Sequence, residues 1–544
     1  MSEKTKKSLS TNKALRRFGF RQTLRGALII GFLAGIMMGA QGAAYAAAYP
    51  DQQSRDVFLA SLENAPAFGF LAGEIANIKT PASYSIYKSI AIMTLLTSIW
   101  GLLVTTRLLR GQEEDGRMEQ IVGGKTTTSS AGLQMLIGYG YSVGVAIIIT
   151  WVIIALLGLD PSVGLSVGAS DLLTLGVFLP GILFASVGVV TSQLAVTRGR
   201  ALAYGLVPLL ILFVIRGLGN SVSDWNWLKK ISPFGWTDLL NPVLDAQIVW
   251  IIPTILLSIL LIPLGLFFAK RRDFLSSIIP QSTIARSHLF LLGSSTQLAI
   301  RQNSGTFFWW TLGTLAYTGL LASVSKIAAD ALASSPSVVN IISALGGTQN
   351  DLVIAFLGFG GLFTALILLV MAAVCVDGVR RDEAKGYVDN LLVQPVRRSS
   401  WLINRLLIII IMITLISLFS GYLVWIVAAN LGISLDLWII IQNSIALIGT
   451  IVLLIGIGAA LYGTFPRIAS LAMFSLIIWA FVVDVLKSLF SLNDFIDKTS
   501  LLHYVSFAPT KAPDWSTFAW LISIGFVLIA IGIYSFTQRD IAAE

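Results

Sequence analysis

Residues 110–130 read RGQEEDGRMEQIVGGKTTTSS, and residues 380–400 read RRDEAKGYVDNLLVQPVRRSS. Laid over each other without a gap, Arg110 meets Arg380, Glu113 meets Glu383 and Gly116 meets Gly386. Glu119 then meets Asp389, Ile121 and Val122 meet Leu391 and Leu392, and Ser129 meets Ser399. The first copy also holds Gly124-Lys125-Thr126, the close of a phosphate-binding loop of the form G-x-x-x-x-G-K-[ST]. The opening glycine of that pattern falls on Glu119, whose carboxylate repels phosphate oxygens. A phosphate loop also follows a buried strand, and the stretch before this one is polar and acidic. The repetition, and not nucleotide binding, is what the stretch carries.

Composition sets the medium. Of 544 residues 56% are apolar and 12% charged, against roughly 25% charged in soluble domains. Mean hydropathy is +0.82. Crossing about 30 Å of hydrocarbon takes about 20 apolar residues in a helix. The apolar runs are continuous, without the alternation of a β-barrel, which predicts about twelve helical spans. They fall near 27–48, 86–106, 132–157, 172–194, 201–219 and 248–269, and then 306–327, 352–376, 402–429, 438–462, 468–486 and 516–536. No soluble stretch is long enough for an independent enzyme domain.

The formal net charge is +9. With both termini on the cytoplasmic side of the cell membrane, Lys and Arg gather in the inner loops and Asp and Glu lean to the outer ones, as the positive-inside rule requires. The basic pI therefore reports a membrane surface and no nucleic-acid partner. The single cysteine, Cys375, allows no internal disulfide, and His288 and His503 lie too far apart for a metal or triad pattern. The small residues of AAYAAAYPD resemble a cleavage site, but the apolar run before them is long and follows an extended basic lead, so the N-terminus is expected to be retained. Residues 12–26 mix basic and apolar positions, as in a helix lying along the inner surface.

The repeat extends beyond the opening stretch. Arg200 and Arg467 occupy short turns between the fourth and fifth spans of each set, and KRRDF after the sixth span matches TQRDI after the twelfth. Two halves follow, 1–274 and 275–544, each of six spans. An even number of spans makes the copies parallel pseudo-repeats. ARSHLFLLGSSTQLAIRQ, before the seventh span, is expected to lie on the inner surface like residues 12–26.

In both halves the chain leaves the second span with an acidic cluster. Glu113, Glu114 and Asp115 precede Gly116 and a run of Glu119, Ile121 and Val122; Asp382 and Glu383 precede Gly386 and a run of Asp389, Leu391 and Leu392 before Gln394 and Pro395. Apolar residues flanking a carboxylate suit a short helix that docks on another protein. EEDGRMEQIVGG and DEAKGYVDNLLVQPV resemble the short cytoplasmic segment of ABC type-2 export permeases. The fused twelve-span length is similar to permeases of polyketide or ionophore antibiotic export. The resemblance covers nearly the whole chain, although Gly124-Lys125 stands where the second half has Gln394-Pro395. It implies a fold of two six-span halves, each with an inner-surface helix and a cytoplasmic coupling helix. It also implies two copies of a separate ATPase subunit that carry ATP and magnesium, no cofactor on this chain, and a lipophilic cargo.

Charge inside the spans is scarce: Asp171, Arg216, Asp484 and Lys487 sit near predicted ends, and Gln41, Gln193 and Gln442 lie deeper. That scarcity disfavours an ion-driven pump. Phe184, Phe213, Phe356, Phe359, Phe363 and Trp479 are candidates for contact with an apolar cargo, against the plainer reading that they pack helices. Glycine-rich GFGG and GIGAA are read as close helix contacts. A twelve-span ion-gradient-driven transporter is the alternative, and a membrane transferase a third class. The transferase reading lacks any clustered acid, base or metal site in the sequence.

Overall fold

The computed structural model describes residues 3–49, 51–63, 80–123, 126–221, 223–243, 245–279, 290–333, 349–384, 386–388, 393, 396–489, 494–505 and 512–539. Among them twelve helices are long and apolar enough to cross a membrane, and no strand occurs. The chain is an all-α integral membrane protein. The first six helices are α1 (Glu3–Ala48), α2 (Pro81–Thr106), α3 (Thr128–Gly158), α4 (Val167–Leu194), α5 (Arg198–Ser221) and α6 (Ile251–Arg271). The second six are α7 (Ser295–Ala333), α8 (Gln349–Ala384), α9 (Arg398–Asn430), α10 (Leu437–Thr464), α11 (Pro466–Leu489) and α12 (Trp515–Gln538). All twelve coincide with the apolar runs.

Side-chain caps fix where several of these helices begin, because the first turn leaves N–H groups without helical partners. Thr80, Thr127, Ser166, Asp436 and Asp514 each accept a hydrogen bond from a backbone N–H of the helix they open. At Asp514 the Thr517 hydroxyl, then the Ser516 hydroxyl and N–H, hold the carboxyl down at about 2. A depressed folded pKa means that this cap stabilises α12 above the ordinary carboxylate range and stops doing so as pH falls toward about 2. The difference in thermal stability between wild type and Asp514→Asn should therefore narrow over that acid window in a circular-dichroism melt.

The described residues fall into two compact units, the first running through residue 279 and the second from residue 290. In the first, α1 packs on α2 and α3, α2 on α4 and α5, and α4 on α3, α5 and α6, with α3 also touching α6. In the second, α7 packs on α8 and α9, α8 on α10 and α11, and α10 on α9, α11 and α12, with α9 also touching α12. Every pair of the first unit recurs six helices later. The second unit adds a contact between α8 and α9. Helices α4 and α10 are therefore the central ones. Leu173, Val177, Phe178 and Phe184 of α4 are buried, as are Ile451, Val452, Leu454 and Ile455 of α10.

Glycine sets the closest of these contacts. A Cβ at Gly456 would lie 2.5 Å from the Gly525 carbonyl oxygen, and one at Gly463 would lie 2.3 Å from that of Gly532. Backbone thus meets backbone along the α10–α12 seam, so the GIGAA run is a packing face. In the first unit a Cβ at Gly265 of α6 would lie 2.7 Å from a Val189 methyl and 3.0 Å from the Val189 backbone of α4.

One expectation fails in both units. Residues 12–26 do not form a separate surface helix: α1 is unbroken from Glu3 to Ala48 and stands beside α3. Arg16 Nε donates to Gln134 Oε1 at 2.6 Å, Thr23 Oγ1 to Ser142 Oγ at 2.7 Å, and Thr150 Oγ1 to the Gly31 carbonyl at 2.9 Å. A Cβ at Gly138 would fall 2.2 Å from the Arg16 carbonyl oxygen. The apolar face of residues 12–26 is spent on a neighbouring helix and not on lipid. Likewise Ser295 onward continues straight into the seventh span as α7, and residues 285–289 of the second expected surface helix lie outside the described residues.

Candidate functional site

The stretch after α2 is held by a buried ionic clasp. The α-helix opens into a wide π turn, Arg107–Gly111, and Arg110 within it is 1% exposed. Its Nε donates to the Val196 carbonyl at 2.6 Å, beyond the end of α4. Its Nη1 donates to Glu113 Oε2 at 3.1 Å and the Ser276 carbonyl at 2.9 Å, and its Nη2 to the Leu275 carbonyl at 3.0 Å. Glu113 is equally buried and is gripped on both oxygens by Arg272, the residue after α6, with Nη1 to Oε1 at 2.6 Å and Nη2 to Oε2. The Leu275 N–H adds a bond at 2.7 Å to Oε1, and Arg272 Nε donates to Gln193 Oε1 at 2.7 Å. Buried charge is tolerated only when paired and fully hydrogen-bonded. Here the fork of each guanidinium matches carboxylate and carbonyl oxygens from three chain segments.

The second unit repeats the central pair. Glu383 is 5% exposed, accepts from the Tyr462 hydroxyl of α10 and from Arg539 Nη2 at 2.6 Å. Arg539 follows α12 as Arg272 follows α6, and its guanidinium lies 5.1 Å from the Tyr462 ring centre. The matched RD of KRRDF and TQRDI is thus the signal of this bond, visible in the sequence only as a landmark. The surroundings differ. Asp382 pairs with Arg405 at 2.6 Å, whose Nη2 reaches Gln302 at 2.6 Å, and Arg380 pairs with Asp377 at 3.0 Å within α8.

Several carboxylates expected on a docking face are therefore placed elsewhere. Glu113 and Glu383 lie inside their bundles, Glu113 neutralising the buried Arg110 and Arg272 and Glu383 the half-buried Arg539. Glu114, exposed, accepts the Arg198 N–H at 2.9 Å and so ties the start of α5. What faces outward is the short helix Arg117–Val122. It starts from Gly116 at φ +72°, and Gly386 takes φ +71° at the matching place. That left-handed joint turns the chain away from α2, and a residue with a Cβ would be strained there. Met118 is buried and Val388 matches it. Ile121 and Val122 are half-buried against Leu15, Phe18, Ala131 and Met135. Asp115, Arg117, Glu119 and Gln120 are exposed. Gly124, Lys125, Asp389, Leu391, Leu392, Gln394 and Pro395 lie outside the described residues. Thr127 beyond them caps α3, so helices flank the Gly-Lys-Thr run on both sides.

The residues proposed for a cargo path divide. Phe184 stacks on Phe234 at 5.5 Å and Phe213 meets the same ring edge-on at 5.4 Å, which is core packing. Gln193 belongs to the clasp. Gln41, Phe356, Phe363 and Gln442 are half-buried, Trp479 is exposed with its Nε1 on Thr499 Oγ1 at 2.9 Å, and the Phe359 side chain lies outside the described residues. The second unit holds a cavity of about 120 Å³ among α7, α8, α9 and α10. Its polar wall is Thr318, Thr364, Ser417, Ser420, Asn443 and Ser444, and glycines 360, 361 and 421 leave the space. None of the chosen aromatics lines it. The signal missed was the clustering of hydroxyls beside glycines on facing helices.

Among the described residues no group of three or more His, Cys, Asp and Glu is placed to hold a metal ion. His503 pairs with Asp497 at 2.8 Å, and Cys375 is buried.

Residues 292–537 match a family described as "Multidrug efflux system permease Rv1217c, C-terminal domain". Over 512 residues, 91% of this chain and 88% of the relative, the chain is 26% identical to the "Multidrug efflux system permease protein Rv1217c" of Mycobacterium tuberculosis (strain ATCC 25618 / H37Rv). The chain is therefore similar, along nearly its full length, to a permease of a multidrug efflux system.

Proposed function

We propose that the chain is the membrane-spanning permease of an ATP-driven exporter of lipophilic compounds such as antibiotics. Two copies of a separate cytoplasmic ATPase of the ABC class would bind ATP and magnesium and dock on its two halves. Similarity to a multidrug efflux permease supports the transport role. The observation that carries the coupling is the short helix Arg117–Val122. It is anchored inward by Met118, joined through a left-handed glycine, and presents only polar side chains outward. An element built this way can take a push from a soluble partner and pass it, through the Glu113–Arg272 clasp, to α2 and α6 together. The docking carboxylates are Asp115 and Glu119, with Glu113 and Glu383 acting inside. Both termini would then be cytoplasmic.

Co-expression with the ATPase and measurement of drug efflux from cells tests this reading. The double reversal Asp115→Lys with Glu119→Lys should lower efflux roughly tenfold or more, since a like-charge contact at an interface costs several kcal/mol. Assembly of the chain should be unchanged. Wild-type efflux by that variant, or efflux by the purified chain alone on an ion gradient, would remove the proposal and favour a secondary transporter.

A further inference from the structure

A second charged feature of the first unit takes no part in the clasp. Lys13, Arg17, Arg21 and Arg25 recur every fourth residue of α1 and so share one face of the helix. They line an open groove of about 1040 Å³ together with Arg107 of the π turn and Arg198 at the start of α5. Among the described residues Lys13, Arg17, Arg21, Arg25 and Arg107 form no ion pair and no carboxylate lines the groove, while Arg198 at its edge is near Glu114 and Asp115. Gathering four like charges along about 18 Å of helix, with Arg107 and Arg198 across the groove, is unfavourable unless an anion answers them. The floor is of another kind. Trp100, Leu103 and Val104 of α2 form it, with Trp100 fixed by the Tyr139 ring at 5.4 Å. That apolar strip lies on helices long and apolar enough to cross a membrane.

We propose that this groove is a binding site for an anionic phospholipid, with the phosphate held by the arginines of the α1 stripe and Arg107, and an acyl chain lying along Leu103 and Val104. Guanidinium groups bind phosphate oxygens in pairs, and clustered basic residues beside a span attract anionic headgroups. The apolar floor decides among anions, because free phosphate or an acidic protein segment would leave it uncovered. Among the described residues the second half has no counterpart of this stripe. The described part of the stretch matched with residues 12–26, residues 290–302, carries a single cation, Arg301. The inference does not depend on the export reading.

Native mass spectrometry of the full chain, released from mixed micelles, tests it. Phosphatidylglycerol should be retained about tenfold over phosphatidylcholine, and the triple variant Arg17→Gln/Arg21→Gln/Arg25→Gln should lose most of that preference. Lys230→Gln, a charge control far from the groove, should retain it. If the triple variant does not fold, Arg21→Gln alone should still reduce retention several-fold. Equal retention of the two lipids, unchanged retention by the arginine variants, or complete displacement of the lipid by inorganic phosphate or glycerol phosphate would overturn the assignment.

Discussion

Glu113→Ala should be the most destabilising single change in the first half. It leaves Arg110 and Arg272, 1% and 5% exposed, with no carboxylate between them, and leaves the Leu275 N–H without its acceptor. Removing one partner of a buried pair costs about 3–5 kcal/mol, which is roughly 10² to 10⁴ in a folding equilibrium. A surface carboxylate would cost little when truncated, about 0–1 kcal/mol, so the measurement separates the two placements cleanly. Denaturant unfolding in detergent should also show strong non-additivity with Arg272→Ala. Once the glutamate is gone, removing the arginine relieves a stranded charge. Additive effects, or a loss below about 1 kcal/mol for Glu113→Ala, would place the carboxylate outside the bundle after all.

Gly532→Val should be the comparable lesion in the second half. A Cβ at position 532 falls 2.4 Å from the backbone carbon and oxygen of Ala459, and backbone cannot swing aside as a side chain can. Overpacking costs about 1–3 kcal/mol where neighbours yield, and the upper end or beyond is expected where they do not. The damage reaches further than the seam. Gly532 sits two helical turns before Arg539, so separating α12 from α10 also withdraws the guanidinium from Glu383 and Tyr462. Gly532→Val and Glu383→Ala should therefore be less than additive in unfolding. Gly305→Val, at a glycine with nothing within 4 Å of its Cβ position, should be nearly silent. Equal tolerance at 532 and 305 would show that the seam is looser than described.

The sequence disclosed the spans because hydrocarbon thickness imposes a length that apolar runs must meet, and all twelve runs became helices. It disclosed the duplication through residues that backbone geometry or buried charge demands: Gly116 and Gly386 at positive φ, and Glu113 and Glu383 at the clasp. It did not disclose what those glutamates touch. Arg272 is 159 residues from Glu113, and an acidic cluster reads the same whether it faces water or a buried guanidinium. The stretch 12–26 is ambiguous in the sequence for a related reason. Periodicity reports that a helix has an apolar face, and a lipid surface and the flank of α3 satisfy that face equally well. The Gly19 and Gly138 close approaches, with the Arg16–Gln134 and Thr23–Ser142 bonds, decide between them.

The unbroken α1 has a mechanical consequence. Its 46 residues make a rod of about 69 Å, whereas a bilayer with its headgroups measures about 40–45 Å. A stiff member that outreaches the lipid and is bolted to α3 along much of its length behaves as a lever. A lean imposed at one end of such a rod would be carried to the other without any joint having to bend.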